Sequence, residues 1–259
     1  MAHLQVTVRG ARATVVLTRT ELRNAFNEEL IAELSAAFQA LGARDDVRAI
    51  VLAAEGPAFC AGADLHWMRR MADYTREQNL ADAGRLAAML RAIHDCPKPT
   101  VARVQGDVYA GGMGLVAACD MAVAAQGTHF CLSEVKLGLI PATIGPYVQR
   151  AMGARAAQRY FLSAERFDAA EALRIGFVHA VVAPEALDAR VDELVGALCA
   201  NGPAAVRACK RLLHDLAQAP LDEALVARTV EAIADIRASA EGREGVQSFL
   251  QKRKPNWLD

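Results

Sequence analysis

Two glycine-rich segments of the sequence, GPAFCAGADL at 56–65 and GDVYAGGMGL at 106–115, have the composition of turns that present bare backbone to a ligand. Each one follows an apolar stretch that predicts a strand and leads into a stretch that predicts a helix. The first turn of a helix carries unpaired N–H groups and a partial positive charge, and small residues let a ligand oxygen approach them. Two such turns converging on one point would form an oxyanion hole for acyl chemistry.

Other uses of glycine-rich turns fit the sequence less well. AGGMGL lacks the GxGxxG spacing of a dinucleotide-binding turn, and no GxxxxGK[ST] segment is present to bind nucleotide phosphates. Neither turn adjoins a GxSxG serine that would act as a nucleophile. For each turn taken alone, a tight strand-to-helix connection without chemistry remains the alternative.

Glu134 lies in the segment FCLSEVKLGLIP at 130–141, where most of its neighbours in the sequence are apolar. A carboxyl group among apolar side chains has a raised pKa, which suits an acid or base working near neutral pH. A solvated glutamate at the end of a strand is the alternative. Its apolar neighbours in the sequence are Phe130, Leu132, Val135, Leu137, Leu139 and Ile140.

The elements that would position these segments alternate between strand and helix patterns over residues 1–183, which predicts an α/β fold with crossover connections. Residues 184–259 have helical patterns almost throughout. Within the first part, the sequence predicts a loop at 56–65, one long helix over 71–96, a helix over 164–176 and a strand over 177–183. Asn27 is the predicted N-cap of the first helix.

The composition is that of a globular protein without a nucleic-acid or membrane surface. The chain has 259 residues, of which 53% are hydrophobic and 23% charged, and its formal net charge is −1. The first residues lack the apolar core of a signal peptide, and no run reaches the roughly 18 apolar residues of a membrane span. Six scattered cysteines without a CxxC pair favour a reduced, cytoplasmic protein.

Five segments in order, FCAGADL, AGGMGLVAACDMAVA, FCLSEVKLGLIP, GFVHAVV and FLQKRKPNW, resemble the enoyl-CoA hydratase/isomerase (crotonase) family over essentially the whole chain. The resemblance implies an α/β fold, a crotonase-like spiral of ββα units, with a C-terminal helical trimerisation region. It places the spiral core and acyl-CoA site in 1–183 and a helical region for oligomerisation and CoA contact in 184–259. A homotrimer or a dimer of trimers is implied.

The resemblance assigns the catalytic groups to three positions. The backbone N–H groups of Ala63 and Gly111 polarise the thioester carbonyl of an acyl-CoA substrate, and Glu134 handles the proton at the α-carbon. Gly62 and Gly112 are expected to keep the approach open. No cofactor is implied, since CoA is part of the substrate. No metal is predicted, because the histidines, among them His94, His129, His179 and His214, lack ligand spacing such as HExxH.

Gly114 departs from the family pattern, because hydratases usually carry there a second glutamate that holds the attacking water. No Asp or Glu occurs between 108 and 119. One interpretation is a hydratase for a branched or carboxylated substrate such as 3-methylglutaconyl-CoA, in which glycine opens room for the branch and removes a like charge. The substrate's own carboxylate would then help to position the water. The alternatives are a Δ3–Δ2 isomerase that uses Glu134 alone, and a non-catalytic binder of acyl-CoA or RNA.

The resemblance also implies the residues that contact the CoA. His66 stands where a lysine often approaches CoA, and Arg69 or Arg70 is the candidate replacement. Phe249 and Lys252 are expected to reach the CoA of a neighbouring subunit. Together with Gly112 and Gly114, the predicted substrate-binding residues are Leu22, Arg23, Ala25, Phe26, Ala61, Asp64, Phe249 and Lys252.

Overall fold

A β-hairpin begins the fold in the computed structural model, which describes residues 3–217 and 219–258. Leu4–Arg9 (β1) and Arg12–Leu17 (β2) pair antiparallel, and β2 alternates half-buried and buried residues as its sequence predicts. Ala49–Ala54 (β3) pairs parallel with β2 and is buried at every position. A continuous apolar run of this kind is typical of a strand covered on both faces of a parallel sheet.

The remaining strands extend this sheet and build a second one beside it. They are β4 Ala58–Cys60, β5 Thr100–Val104, β6 Asp107–Tyr109, β7 Met121–Ala125, β8 His129–Cys131, β9 Phe167–Asp168 and β10 Ala180–Val182. In the described residues the first sheet has the order β1-β2-β3-β5-β7-β10 and the second has the order β4-β6-β8-β9. From β3 to β8 successive strands alternate between the two sheets, with helices after the pairs β3–β4, β5–β6 and β7–β8, so the predicted spiral of ββα units is confirmed.

Local capping sets where the helices begin. The Asn27 side chain accepts the N–H of Leu30 at 2.9 Å, as predicted, and Thr75 with Gln78 forms a reciprocal capping box. The helices are α1 Glu28–Gly42, α2 Leu65–Met71, α3 Arg76–His94, α4 Gly111–Ala118, α5 Gly145–Ser163, α6 Ala169–Arg174, α7 Leu187–Ala200, α8 Pro203–Leu216, α9 Glu223–Ala238 and α10 Ala240–Leu250.

The predicted single helix over 71–96 was wrong, because the chain turns between α2 and α3. Helix α2 ends at Met71, and the Thr75 capping box begins a separate helix, α3, at Arg76. The predicted loop over 56–65 was also incomplete, since it contains β4. Residues 58–60 are buried and pair with β6, which makes them a strand too short for its sequence pattern to reveal.

The predicted helix over 164–176 begins later than its sequence pattern indicates. Phe167–Asp168 pair with β8 as a short strand, and the Asp168 side chain then caps α6 by accepting the N–H of Glu171 at 2.8 Å. The predicted strand over 177–183 is limited to Ala180–Val182, the part that pairs with β7. In both places tertiary pairing overrides the local pattern.

The C-terminal residues are helical as predicted, but the first of these helices packs on the sheet. Leu187, Val191 and Val195 of α7 are buried against side chains of β3, β5 and β7. Helix α7 is therefore packed with the sheet of the core, and the predicted division of the chain at 183/184 stays a prediction. Within the described residues, no helix has the length and apolar character needed to cross a bilayer.

The helices α8–α10 and their connections expose many large apolar side chains. Large exposed apolar patches are typical of interaction surfaces. The exposed apolar residues here are Leu213, Leu221, Val226, Val230, Ile233, Val246, Phe249 and Leu250.

Candidate active site

The carboxyl ends of three adjacent parallel strands carry the three predicted catalytic groups. In the second sheet β4 pairs parallel with β6, and β6 pairs parallel with β8. Ala63 follows the end of β4, Gly111 follows the end of β6, and Glu134 follows the end of β8. Because parallel strands end at the same edge of a sheet, the fold brings these residues to one edge, where ligands of α/β sheets bind.

The N–H of Ala63 points away from the chain segment that pairs with it. Phe26 forms an isolated parallel bridge with Ala63, donating to the carbonyl of Gly62 at 2.7 Å and accepting the N–H of Asp64 at 2.7 Å. In a parallel bridge the neighbours of a residue make both bonds, so the residue's own N–H faces the other side. Among residues 3–217 and 219–258, no acceptor for the Ala63 N–H lies within hydrogen-bond distance.

The N–H of Gly111 is the first donor of α4 and is also without an acceptor in the described part of the chain. Ala110, just before it, has a φ of 47° and a ψ of −121°, a strained backbone conformation for a residue with a side chain. The N–H of Ala110 donates to the carbonyl of Cys131 at 2.8 Å, which fixes the turn against the end of β8. Strain held in this way is common at functional sites.

Two unpaired backbone donors at one sheet edge can stabilise an oxyanion. Gly111 begins a helix, so the partial positive charge of its first turn adds to the effect of the N–H itself. Donors aimed at a developing negative charge contribute on the order of 3–4 kcal/mol each to a reaction barrier. The geometry therefore supports the oxyanion-hole interpretation over a turn without chemistry.

The glycines beside the two donors, Gly62 in the first turn and Gly112 in the second, allow close packing between the turns, and their role in keeping the approach to the N–H groups open stays a prediction. A Cβ at Gly112 would lie 2.7 Å from the carbonyl oxygen of Cys60, and a Cβ at Gly62 would lie 3.0 Å from the Cβ of Ala110. Both glycines thus let the donor helix sit directly on the end of β4. This contact holds the two donor turns together.

Gly114 does not open room for a substrate branch, so that expectation was wrong. A Cβ at Gly114 would lie 2.3 Å from Cγ2 of Ile144 and 3.3 Å from Cδ2 of Leu90. Both side chains are buried, and together they fill the space that a larger residue at 114 would use. The space into which a side chain at 114 would extend is therefore occupied by apolar side chains.

Glu134 lies in a short 3-10 turn, Glu134–Leu137, directly after β8, and is half-buried. Its Oε2 atom is buried and has no hydrogen-bond partner among the described residues. Burial raises the pKa of the Glu134 carboxyl, and its own backbone N–H offsets the effect in part. The expected apolar neighbours are only partly present, because Leu137, Leu139 and Ile140 are exposed and only the β8 side, with Phe130 and Leu132, is buried.

Replacing Glu134 by glutamine is expected to stabilise the fold at high pH. The pKa of the Glu134 carboxyl is raised above its ordinary 4.5 in the folded protein. The free energy of unfolding therefore falls as pH rises from 4.5 through the pKa of the folded state. The glutamine variant lacks this loss. Its Tm in scanning calorimetry should exceed that of the wild type at pH 8, and the difference should shrink to nothing below pH 4. Equal Tm values at both pH values would contradict the unfavourable burial of this carboxylate.

A cavity of about 370 Å³ adjoins the first donor turn. It brings together Leu22, Arg23, Ala25, Ala61 and Asp64, five of the residues predicted to contact the substrate, and Arg23 is an exposed cation at its rim. The residues that line it are Glu21, Leu22, Arg23, Ala25, Ala61, Ala63, Asp64, Leu65 and His66.

Other predicted CoA contacts lie away from this cavity. Phe249 is 82% exposed and Lys252 is exposed after the end of α10, so their contact with the CoA of a neighbouring subunit stays a prediction. The ring of Phe26 is 1% exposed and packs inside the protein rather than on the cavity wall. Arg70, a candidate phosphate ligand, donates to both carboxylate oxygens of Glu28 at 2.7 Å, whereas Arg69 is exposed.

Asp64 has a structural task that the sequence interpretation missed. Its carboxylate is 5% exposed, accepts the guanidinium of Arg19 at 2.8 Å, and caps α2 by accepting the N–H of His66 at 2.7 Å. Burial alone would raise the pKa of Asp64, but the hydrogen bonds from Arg19 and the helix N–H groups outweigh it and lower that pKa. The signal available in the sequence was an aspartate immediately before a helix.

Replacing Asp64 by alanine is expected to lower the free energy of unfolding by about 3–5 kcal/mol, because it leaves the buried Arg19 without its partner. Urea unfolding measures the loss. Asp82 is a matched control: it is 4% exposed and pairs with Arg85, whose side chain is 54% exposed. Asp82→Ala should cost less, since Arg85 returns to water. Equal losses for the two variants would show that the burial of Arg19 is unimportant.

Two histidines that looked dispersed in the sequence meet in space. The rings of His94 and His214 stack with centroids 4.3 Å apart at 11°, and Asp95 lies beside them. A metal ion lies near the plane of each imidazole that binds it, and these nearly parallel planes do not meet at the site. Asp95 is also paired with Arg91 at 2.9 Å. The expected absence of a metal stays a prediction.

A spiral of ββα units that brings two free N–H groups and a carboxyl group to one sheet edge is typical of enzymes that stabilise an oxyanion formed from a carbonyl group. Comparison with known proteins identifies one family within this class. The family model for enoyl-CoA hydratase/isomerase matches residues 9–259, and the chain belongs to that family.

Relatives over the full length support this assignment. A solved enoyl-CoA hydratase from Shewanella pealeana is 44% identical, covers 98% of this chain and 96% of its own, and has a TM-score of 0.96. The enoyl-CoA hydratase ACTT6 of Alternaria alternata is 34% identical over 96% of this chain and 85% of its own. The crotonyl-CoA hydratase of Syntrophomonas wolfei is 29% identical over 95% and 94%.

Proposed function

We propose that this enzyme is an enoyl-CoA hydratase that adds water across the α,β double bond of a branched or carboxylated acyl-CoA such as 3-methylglutaconyl-CoA. The observation that carries the proposal is the pair of unpaired N–H groups, Ala63 and Gly111, at the sheet edge that also bears Glu134. The names of the relatives support hydration as the reaction.

In the proposed mechanism the two N–H groups bind the thioester oxygen. Water attacks the β-carbon, the electron pair of the double bond moves onto the thioester oxygen as an enolate, and the donors stabilise that charge. In its protonated form, which burial favours by raising the pKa, Glu134 gives its proton to the α-carbon. The carboxylate then takes up the proton that the water loses, so that no second carboxylate is required.

The preference for a carboxylated substrate is supported by charge rather than by space. Ile144 and Leu90 occupy the neighbourhood of Gly114, so the second glutamate of other hydratases has no counterpart there. A substrate carboxylate close to two enzyme carboxylates would be repelled, and this site presents one fewer negative charge. The substrate's own carboxylate would then help to hold the water.

Isomerisation of a 3-enoyl-CoA is the second candidate, and the single carboxylate at the site favours it. Glu134 would take a proton from one carbon and return it to another without water. The two reactions start from opposite forms of Glu134, whose pKa is raised. As pH rises through that pKa, kcat/KM should fall for hydration and rise for isomerisation; a stopped-flow pH profile separates them.

We also propose that the enzyme is a homotrimer or a dimer of trimers formed through α8–α10. The exposed apolar residues of these helices support the proposal. Such an assembly would bring Phe249 and Lys252 to the CoA of a neighbouring subunit.

A non-catalytic role in acyl-CoA binding is disfavoured by the buried, unpartnered Oε2 of Glu134, which costs stability and gains nothing in a mere binder.

An absorbance assay of the conjugated enoyl-thioester band tests the reaction and the substrate together. The panel is crotonyl-CoA, 3-methylcrotonyl-CoA, 3-methylglutaconyl-CoA and a 3-enoyl-CoA. The proposal predicts loss of the band, fastest with 3-methylglutaconyl-CoA. A gain of the band with the 3-enoyl substrate alone would make the enzyme an isomerase, and binding without any spectral change would make it a binder.

A further inference from the structure

We propose that Phe26 is a positioning residue that sets the distance between the two oxyanion donors, Ala63 and Gly111. The inference rests on the proposed oxyanion site. Phe26 contacts both donor turns, one through its backbone and the other through its ring, although they belong to different ββα units.

The backbone of Phe26 fixes the first donor. Its N–H and C=O bind Gly62 and Asp64, each at 2.7 Å, on the two sides of Ala63. These bonds hold the 62–64 peptide groups in the orientation that turns the Ala63 N–H toward the site. The first donor therefore moves with the Phe26 backbone.

The ring of Phe26 fixes the second donor. A Cβ built on Gly111 would lie 2.5 Å from Cε2 and 3.0 Å from Cδ2 of that ring, so the ring lies directly against the first residue of α4. The ring is 1% exposed, and α4 rests on it at the helix end that carries the donor. A planar ring with few rotamers makes a stiff spacer between the two turns.

The segment before Phe26 is itself held firmly. The guanidinium of Arg19 donates to the carbonyl of Ala25 at 2.5 Å, and the N–H of Ala61 donates to the carbonyl of Arg23 at 3.0 Å. Asn24 has a φ of 55°, is fully buried, and donates to the carbonyls of Glu55 and Ala58 at 2.9 Å. The segment that carries Phe26 is therefore rigid, and it lies beside the cavity that Leu22, Arg23 and Ala25 line.

Replacing the Phe26 ring by a smaller side chain is expected to lower kcat more than it lowers the affinity for the ligand. Phe26→Leu keeps the backbone bonds to Gly62 and Asp64 but leaves a gap against Gly111, so that α4 can shift. Misplacement of catalytic groups by about 1 Å can lower a rate on the order of 100-fold. The CoA-lining residues are held by other contacts, so affinity for CoA should be unchanged.

Two variants change the contact between Phe26 and Gly111, one from each side, and both are compared with one matched control. Phe26→Leu removes the ring, and Gly111→Ala keeps the N–H while its new Cβ pushes on the ring, so the test survives if one of them fails to fold. Phe38→Leu is the control, because Phe38 is also 1% exposed but lies in α1 away from the donors. The probe is butyryl-CoA labelled with ¹³C at the carbonyl, a saturated thioester that needs no turnover.

Difference infrared spectroscopy reports the carbonyl stretch of the bound probe, calorimetry gives its Kd, and kcat is measured on the best enoyl substrate. We expect a downshift of the stretch in the wild type and in Phe38→Leu. In Phe26→Leu and Gly111→Ala the downshift should shrink and kcat should fall tenfold or more, a larger factor than any rise in Kd.

The outcomes separate the inference from the proposed function. A full downshift and wild-type kcat in both site variants would overturn the role of Phe26. No downshift in the wild type would overturn the oxyanion site and, with it, the inference. A downshift that depends on Phe26 in a protein that hydrates no enoyl-CoA would support the inference while the proposed reaction fails.

Discussion

Glu134→Gln is expected to lower kcat by about 10²–10⁴-fold, the range typical of the loss of a general acid–base group. Glutamine keeps the shape of the side chain but cannot give or take the proton at the α-carbon. The two N–H donors and the cavity at Leu22–Ala25 are untouched, so KM should change little. Steady-state kinetics on the best substrate of the panel measures both parameters.

Glu77→Gln is the matched control for this loss. Glu77 is an exposed carboxylate in the first turn of α3, and its replacement should leave kcat unchanged. The Glu134 variant should also be folded and, at high pH, more stable than the wild type. A Glu134→Gln enzyme with wild-type kcat would show that the buried carboxyl takes no part in proton transfer.

Gly114→Glu is expected to lower the free energy of unfolding by more than about 3 kcal/mol, and to fail to create a two-carboxylate hydratase. The new Cβ would lie 2.3 Å from Cγ2 of Ile144, and the charged group would enter an apolar, buried region. Overpacking and the burial of an unpaired charge both act against folding. Urea unfolding and activity on crotonyl-CoA measure the two effects.

Two further variants isolate the cause of this loss. Gly84→Glu is the control, because Gly84 lies in α3 with no atom within 4 Å of its added Cβ and should tolerate the change. Adding Ile144→Ala to Gly114→Glu removes the clashing methyl groups and should recover part of the stability. If Gly114→Glu alone folds with wild-type stability, then the space beside Gly114 is open and the account of this position is wrong.

Much of the site was predictable from the sequence because its parts are local. An apolar strand pattern that leads into a glycine-rich turn and a helix start is readable before Gly62 and before Gly111, and both turns carry free N–H groups in the structure. The ββα spiral and the helical C-terminal part followed from the order of such patterns together with the family resemblance. The assignment of Glu134 followed from the family resemblance, and its mostly apolar sequence neighbours agree with it.

The contacts between distant segments could not be predicted in the same way. The sequence does not reveal that Ile144 fills the space beside Gly114, because the two residues belong to different elements, α4 and the cap of α5. The pairing of Arg19 with Asp64 likewise joins residues far apart in the chain. Short strands such as β4 and β9 exist only through their pairing, so their few residues carry little periodicity.

A crystal structure of the wild-type enzyme with butyryl-CoA would test the central claim most directly. The account predicts the thioester oxygen about 2.7–3.1 Å from both the Ala63 and Gly111 nitrogen atoms, with the Glu134 carboxyl facing the α-carbon. A thioester oxygen bound by other groups, with these two N–H groups still unpaired or bonded to water, would contradict it.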